Sequence, residues 1–278
     1  DGALRDAKYL IVGRIEAKRE KDSEEVREYF PPPPPSNLPS PEAASATAFQ
    51  PNIGWGGRAV AVDVNPTNVN EAWVAAESGG LFKTTNGGAT WAHYGNTVQF
   101  RMADVKYVTT DGQWVIATST YDTRSTNQGG ILLSTNDGAS WYHPASASVS
   151  CATAPRASAY GIAVVTSANE VYVGTDCGLA ISRDKGATWT HVSNWNPGAS
   201  PGTYSVIARA NGANRIVDIC GDYGHRRSLD SGVTWTTTSA LLGDCTGAWS
   251  HALASSPSEP NVLFAAVNGA RLINSYLG

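Results

Sequence analysis

The sequence predicts an all-β fold, a β-propeller of four-stranded blades preceded by a short charged helix. Three observations carry this. An octapeptide recurs four times: TTNGGATW (84–91), STNDGASW (134–141), SRDKGATW (182–189) and SLDSGVTW (228–235). Its closing tryptophans stand 50, 48 and 46 residues apart, and a period of roughly 40–50 residues is the mark of propeller blades. The composition agrees: only 16% of the 278 residues are charged, and 28 Gly and nine Trp stand against one Met. That balance suits short strands joined by tight turns.

The chain divides into three parts. Residues 1–30 hold seven Lys/Arg and eight Asp/Glu, and opposite charges three and four apart in Lys18–Glu28 predict a solvated helix. Residues 31–50 form a linker whose PPPPPSNLPSPEAASA run favours extended polyproline geometry and excludes helix or sheet. Residues 51–278 form the propeller. A net charge of −4 argues against a broadly basic nucleic-acid binder, so no nucleic acid is expected as partner. No stretch approaches the roughly 20 apolar residues of a membrane helix, and no membrane insertion is expected.

Within the propeller, each repeat reads as three short strands, the octapeptide, and a fourth strand opening at its Trp. Before the first octapeptide come 58–64, 71–77 and 80–85. Before the third come 160–165, 170–175 and 178–183. After the fourth come 251–255, 261–267 and 270–274. The chain thus holds four full blades and most of a fifth. Two arrangements follow: a piece of a longer propeller, which is the preferred reading, or a ring of five closed by an outer strand from around 46–51.

The octapeptide has the chemistry of a reinforced turn. The side chain at its third position (Asn86, Asn136, Asp184, Asp230) bonds backbone N–H groups ahead of it. Gly88, Gly138, Gly186 and Gly232 supply a positive φ, and Trp91, Trp141, Trp189 and Trp235 bury large rings against the sheet. These turns resemble the Asp-box, or BNR repeat, of sialidases, xyloglucanase-type glycoside hydrolases, sortilin-type receptors and a photosystem II assembly propeller. The resemblance covers roughly residues 50–278 and implies the fold more strongly than any activity.

Strand order puts all four octapeptides on one face, the bottom, and a propeller's functional pocket usually lies on the other. The top-face loops between second and third strands each carry a carboxylate: Glu77, Asp122, Asp176 and Asp222. These four are the candidates for catalysis. Tyr121 and Arg124 accompany one of them, and Tyr223, His225, Arg226 and Arg227 another. Blade-entry loops add Trp55, Arg58, Arg101, Tyr160, Tyr204, Trp249 and His251. Rings stack on apolar sugar faces while charged groups bond hydroxyls. Trp55, Arg58, Tyr121, Asp122, Asp176, Tyr223, His225, Arg226 and Trp249 are therefore the candidate ligand-binding set. The competing reading is that one carboxylate per loop is ordinary turn chemistry.

Hydrolysis needs two carboxyl groups about 5–5.5 Å apart for retention or about 6.5–9.5 Å for inversion. The resemblance to xyloglucanases touches one point: Glu77-Ser-Gly-Gly occupies the place where those enzymes carry an acidic residue before a Gly pair. Their second acid comes from another propeller domain. The Arg-Ile-Pro-like motif of sialidases is replaced here by Gly-Gly-Arg58-Ala. The five histidines lack metal-ligand spacing, and His93, His143 and His191 each follow an octapeptide Trp by two residues, as equivalent outer-strand positions. No metal and no cofactor is expected.

The four cysteines fall at the top rim: Cys177 and Cys220 at second-strand ends, Cys151 and Cys245 in blade-entry loops. The expected disulfides are Cys151–Cys177 and Cys220–Cys245, against a reading of four free thiols; if formed, they imply an oxidising compartment. The leading expectation is a secreted or cell-surface binding module for a glycan or an extracellular protein. The alternatives are a glycoside hydrolase of sialidase or xyloglucanase type, and a scaffold.

Overall fold

The computed structural model describes residues 58–94, 101–120, 129–144, 158–192 and 202–237, together with strands over 253–256, 259–267 and 271–276. All belong to the second of two units, Phe49–Gly278; the first is Asp1–Ala48. The expected helix over 18–28 and the linker lie outside the described residues.

The described residues form five antiparallel sheets in chain order. The first holds β1 (Ala59–Asn65), β2 (Asn68–Ala76), β3 (Gly80–Thr84) and β4 (Ala92–Tyr94). The second holds β5 (Met102–Tyr107), β6 (Val115–Ser119) and β7 (Gly130–Ser134). The third is β8 (Ala159–Val165), β9 (Glu170–Thr175), β10 (Gly178–Ser182) and β11 (Thr190–Val192). The fourth is β12 (Thr203–Asn211), β13 (Asn214–Gly221), β14 (Gly224–Ser228) and β15 (Thr236–Thr237). The fifth is β16 (Leu253–Ser256), β17 (Glu259–Val267) and β18 (Arg271–Tyr276). Each sheet is a meander in which every strand pairs with the next. The expected strands match within a few residues. In the second sheet, however, the fourth strand shrinks to a single bridge, Leu133 with Tyr142.

Successive sheets stack face to face with their first strands side by side, β1 by β5 by β8 by β12 by β16. Apolar layers fill the gaps. Trp73, Ala75 and Leu81 pack with Val105, Val115 and Leu132 between the first two sheets. Ile116, Ile131 and Leu133 meet Val171, Val173 and Ala180 between the second and third, and Tyr172, Leu179 and Ile181 meet Val206, Val217 and Ile219 between the third and fourth. Polar stitches join the first strands. Asp63 accepts the Tyr107 N–H at 2.7 Å, Asp104 accepts the Ile162 N–H at 2.9 Å, and Ser205 Oγ accepts the Leu253 N–H at 3.2 Å. A buried carboxylate is tolerated there because a backbone donor across the gap satisfies it.

The octapeptide turn repeats almost atom for atom. Its first hydroxyl accepts the N–H of the fifth-position glycine at 2.9, 2.8, 2.8 and 2.7 Å. The third residue's Oδ1 accepts the N–H of the seventh at 2.9, 2.9, 2.8 and 2.8 Å. Asn and Asp are interchangeable because the partner hydroxyl rotates. Asn86 and Asn136 donate to Thr90 and Ser140, whereas Asp184 and Asp230 accept from Thr188 and Thr234. Burial pushes the Asp230 carboxyl up, but the bonds from Thr234 and Ser228 outweigh it and hold the group at about 2.

Two consecutive residues, not one, are left-handed. The fourth position has φ of 67, 52, 64 and 63° at Gly87, Asp137, Lys185 and Ser231, ahead of the glycine at 83–97°. Each fourth-position N–H donates to the start of the second strand or the turn just before it, at the carbonyls of Asn70, Gln113, Asn169 and Arg215. Octapeptides and first turns thus share one end of the sheets. The tryptophans reach back to the preceding sheet: Trp141 lies edge-on to Trp73 with centroids 5.6 Å apart, and Trp189 and Trp235 join the next two layers.

Candidate functional site

The opposite end carries the candidate site, and it too is built from a repeated backbone bond. The residue after each second strand donates its N–H to the residue before the first strand. Glu77 reaches Arg58 at 2.9 Å, Thr120 reaches Arg101 at 2.9 Å, Asp176 reaches Ser158 at 3.1 Å and Asp222 reaches Gly202 at 3.0 Å. This bond closes each sheet at the rim and fixes where the next side chain goes. The equivalent position in the second sheet is Thr120; Asp122, Tyr121 and Arg124 lie outside the described residues, as do Trp55, Trp249 and His251.

Two of the three described carboxylates are fully engaged within their own sheets. Asp176 accepts the Ser158 N–H at 2.8 Å and the Tyr160 hydroxyl at 2.6 Å. One sheet on, Asp222 accepts the Gly202 N–H at 3.0 Å and the Tyr204 hydroxyl at 2.9 Å. Burial, then the hydrogen bond to Asp176, pushes the Tyr160 phenol well above its ordinary range, and burial with Asp222 does the same for Tyr204. The two rings meet edge to face, centroids 5.0 Å apart. Glu77 makes an ion pair instead: its side chain is 41% exposed and pairs with Arg58 at 3.3 Å.

The remaining described candidates separate. Tyr223 is half-buried and shares a 2.5 Å hydrogen bond with Thr203, while Arg226 lies over its ring at 5.6 Å and donates to Thr237. His225 corrects an expectation. The loop read as carrying it shortens to Asp222-Tyr223, since Gly224–Ser228 is strand β14, and His225 becomes a core residue with no exposed surface. Its Nε2 bonds Asp218 Oδ1 at 2.8 Å, and Asp218 also takes Arg227 Nε at 2.7 Å and Arg209 Nη2 at 2.6 Å. Burial pushes Asp218 up, but His225, Arg227 and Arg209 together hold it at about 2. Composition gave no cue to this cluster, because only the pairing of β12, β13 and β14 brings Arg209, Asp218, His225 and Arg227 together.

Cys177 and Cys220 are both buried and disulfide-bonded, and no described cysteine is free. Cys151 and Cys245 lie outside the described residues. His93 and His143 bond backbone carbonyls of their own sheets, Gly79 at 2.9 Å and Ile131 at 2.7 Å. Among the described residues no group of three or more His, Cys, Asp or Glu is placed to hold a metal, and no helix is long and apolar enough to cross a membrane.

No family model matches the sequence, and no curated protein matches it. Solved structures do resemble the fold. An ancestral GH74 enzyme superposes with a TM-score of 0.61 at 20% identity, over 77% of this chain and 30% of its own. The GH74 xyloglucanase from Xanthomonas campestris gives 0.54 at 15% identity, over 80% and 36%. The extracellular domain of a one-component system from B. thetaiotaomicron gives 0.59 at 10%, over 82% and 28%. The chain spans about a third of the length of these proteins. At such identities the likeness establishes architecture alone: the fold is of β-propeller type.

Proposed function

We propose that the chain is a propeller binding module that takes a glycan at the rim opposite its octapeptide turns, which we read as Asp-boxes. The observation carrying this is the occupation of Asp176 and Asp222. Each spends its oxygens on a tyrosine hydroxyl and a loop N–H of its own sheet, so each builds a rim and neither is poised to protonate a glycosidic oxygen. Partly exposed Tyr204, its hydroxyl held by Asp222, then offers a ring to a sugar. Trp55, Tyr121, Asp122 and Trp249 belong to the same proposed surface. A glycan-array screen with rescreening of every hit for reducing-end release tests the reading. An array blank for folded protein transfers it to a protein ligand.

A second reading, glycoside hydrolysis, is favoured by one residue. Glu77 keeps an exposed carboxylate, and GH74 enzymes share the fold. Turnover lost on Glu77→Gln with binding kept establishes it.

We further propose an extracellular setting and the pairings Cys151–Cys177 and Cys220–Cys245, each tying a sheet's entry to a second-strand end. Non-reducing peptide mapping tests the pairings; a Cys177 peptide joined to Cys245 overturns them.

A further inference from the structure

Lys83 stands where the repeat places an apolar side chain. The same register position, opposite the second strand's large core residue, is Leu133 in the second sheet and Ile181 in the third. Both of those pack against the next octapeptide's glycine, Leu133 on Gly186 and Ile181 on Gly232. In the first sheet the corresponding neighbour is the octapeptide Asn136–Gly138, and Lys83 Nζ meets the carboxylate of Asp137 directly. Asp137 is held there by its own backbone, left-handed at φ 52° with its N–H on Gln113 O.

The surroundings are those of a reaction site. The Lys83 side chain is only 6% exposed, and its Nζ lies 5.5 Å from the centre of the fully buried Trp73 ring. Tyr94, Trp141 and Tyr107 share the apolar cluster of Trp73. A second carboxylate, Glu71 Oε2, stands 3.6 Å from the same nitrogen. Glu71 is oriented from behind by Asn65 Nδ2 at 3.1 Å and Asn68 Nδ2 at 2.9 Å. An amine, a carboxyl and a second carboxylate thus converge across two sheets in an apolar setting. The lysine charge there is desolvated and that of Asp137, 26% exposed, partly so, and joining the two as a neutral amide removes that cost.

We propose that Lys83 and Asp137 form an intramolecular isopeptide bond, with Glu71 as the proton carrier. Glu71 takes a proton from the Lys83 ammonium and passes it to an Asp137 oxygen, and the freed amine attacks Cγ of the carboxyl group so neutralised. The C–N bond forms, and one carboxylate oxygen leaves as water, carrying two protons that began on the lysine nitrogen. The first of these reached that oxygen through Glu71, which is again a carboxylate, and the second moves there from the new C–N nitrogen as the C–O bond breaks. Ammonium and carboxylate become amide plus water; nothing is oxidised or reduced, and no co-reactant is needed. The product staples the first sheet to the turn of the second by a covalent bond that reductants leave intact.

The experiment is mass spectrometry of the full chain after reduction, alkylation and denaturation. The expected wild-type mass is lower than the sequence mass by one water, and proteolysis yields a branched peptide joining the Lys83 and Asp137 segments. Lys83→Arg keeps the cation but returns the full mass. Glu71→Gln slows cross-linking of freshly made protein by about a hundredfold or more. A wild-type chain at full mass, with Lys83 acylated by an amine reagent after denaturation, overturns the proposal without depending on any variant's folding. Cross-linking of Glu71→Gln at the wild-type rate overturns the role of Glu71.

Discussion

The rings of Tyr160 and Tyr204 meet edge to face at 77°, and each hydroxyl is held by an aspartate of its own sheet, Asp176 and Asp222. One repeated arrangement thus crosses the boundary between the third and fourth sheets. It turns two residues suited to catalysis into supports for a rim. The chemistry of the site rests on that conversion, because an aspartate that already accepts a phenol and an amide has little left for a substrate proton.

Tyr160→Phe removes the hydroxyl from Asp176 while leaving the ring. The expected cost is about 1 kcal/mol in urea unfolding at neutral pH, the net worth of one such bond. The phenols add an alkaline signature. Their folded values are raised above the unfolded value near 10, so the folded chain holds its protons longer. Stability is therefore full below about pH 10 and falls as pH rises beyond it. The double variant Tyr160→Phe, Tyr204→Phe is expected to flatten that limb; an unchanged limb would assign it to other groups.

Asp218 gives the opposite sign. Its folded value of about 2 lies below the ordinary carboxylate range, so its contribution is present above about pH 4 and is lost as pH falls toward 2. Asp218→Asn leaves Arg209 and Arg227 buried without their carboxylate and is expected to cost about 3–5 kcal/mol by denaturant titration. A loss below about 1 kcal/mol would mean that water reaches the cluster.

Gly138 and Gly212 both hold positive φ, at 83° and 59°, yet they carry different loads. A Cβ on Gly138 would stand 2.3 Å from the Trp73 ring, whereas one on Gly212 meets nothing within 4 Å. Gly212→Ala is expected to cost about 1–2 kcal/mol, the left-handed penalty alone. Gly138→Ala adds a clash worth about 1–3 kcal/mol more. Equal midpoints for the two variants in a urea series would contradict the stacking of octapeptide on preceding sheet.

The strands were legible because their signals are local: short apolar runs, a Gly-containing turn, and a Trp recurring at a near-constant period. The rim was legible only in part. Asp176 and Asp222 stood out as loop acids, but Tyr160 and Tyr204 lie 16 and 18 residues before them, and only strand pairing brings acid and phenol together. His225 was misplaced for a related reason. A turn of two residues is enough to reverse this chain, so Gly224–Ser228 enters the sheet and carries His225 inside. The left-handed fourth position was hidden because Asp137, Lys185 and Ser231 occupy it where glycine would have announced it.

The most direct test of the binding reading is a glycan array on the purified full chain, each hit assayed for new reducing ends. The expected result is binding without release, weakened about tenfold or more by Tyr204→Ala through loss of a stacked ring. Release of reducing sugar that stops on Asp222→Asn or Asp176→Asn would contradict it, since those aspartates would then be acting on substrate and not holding the rim.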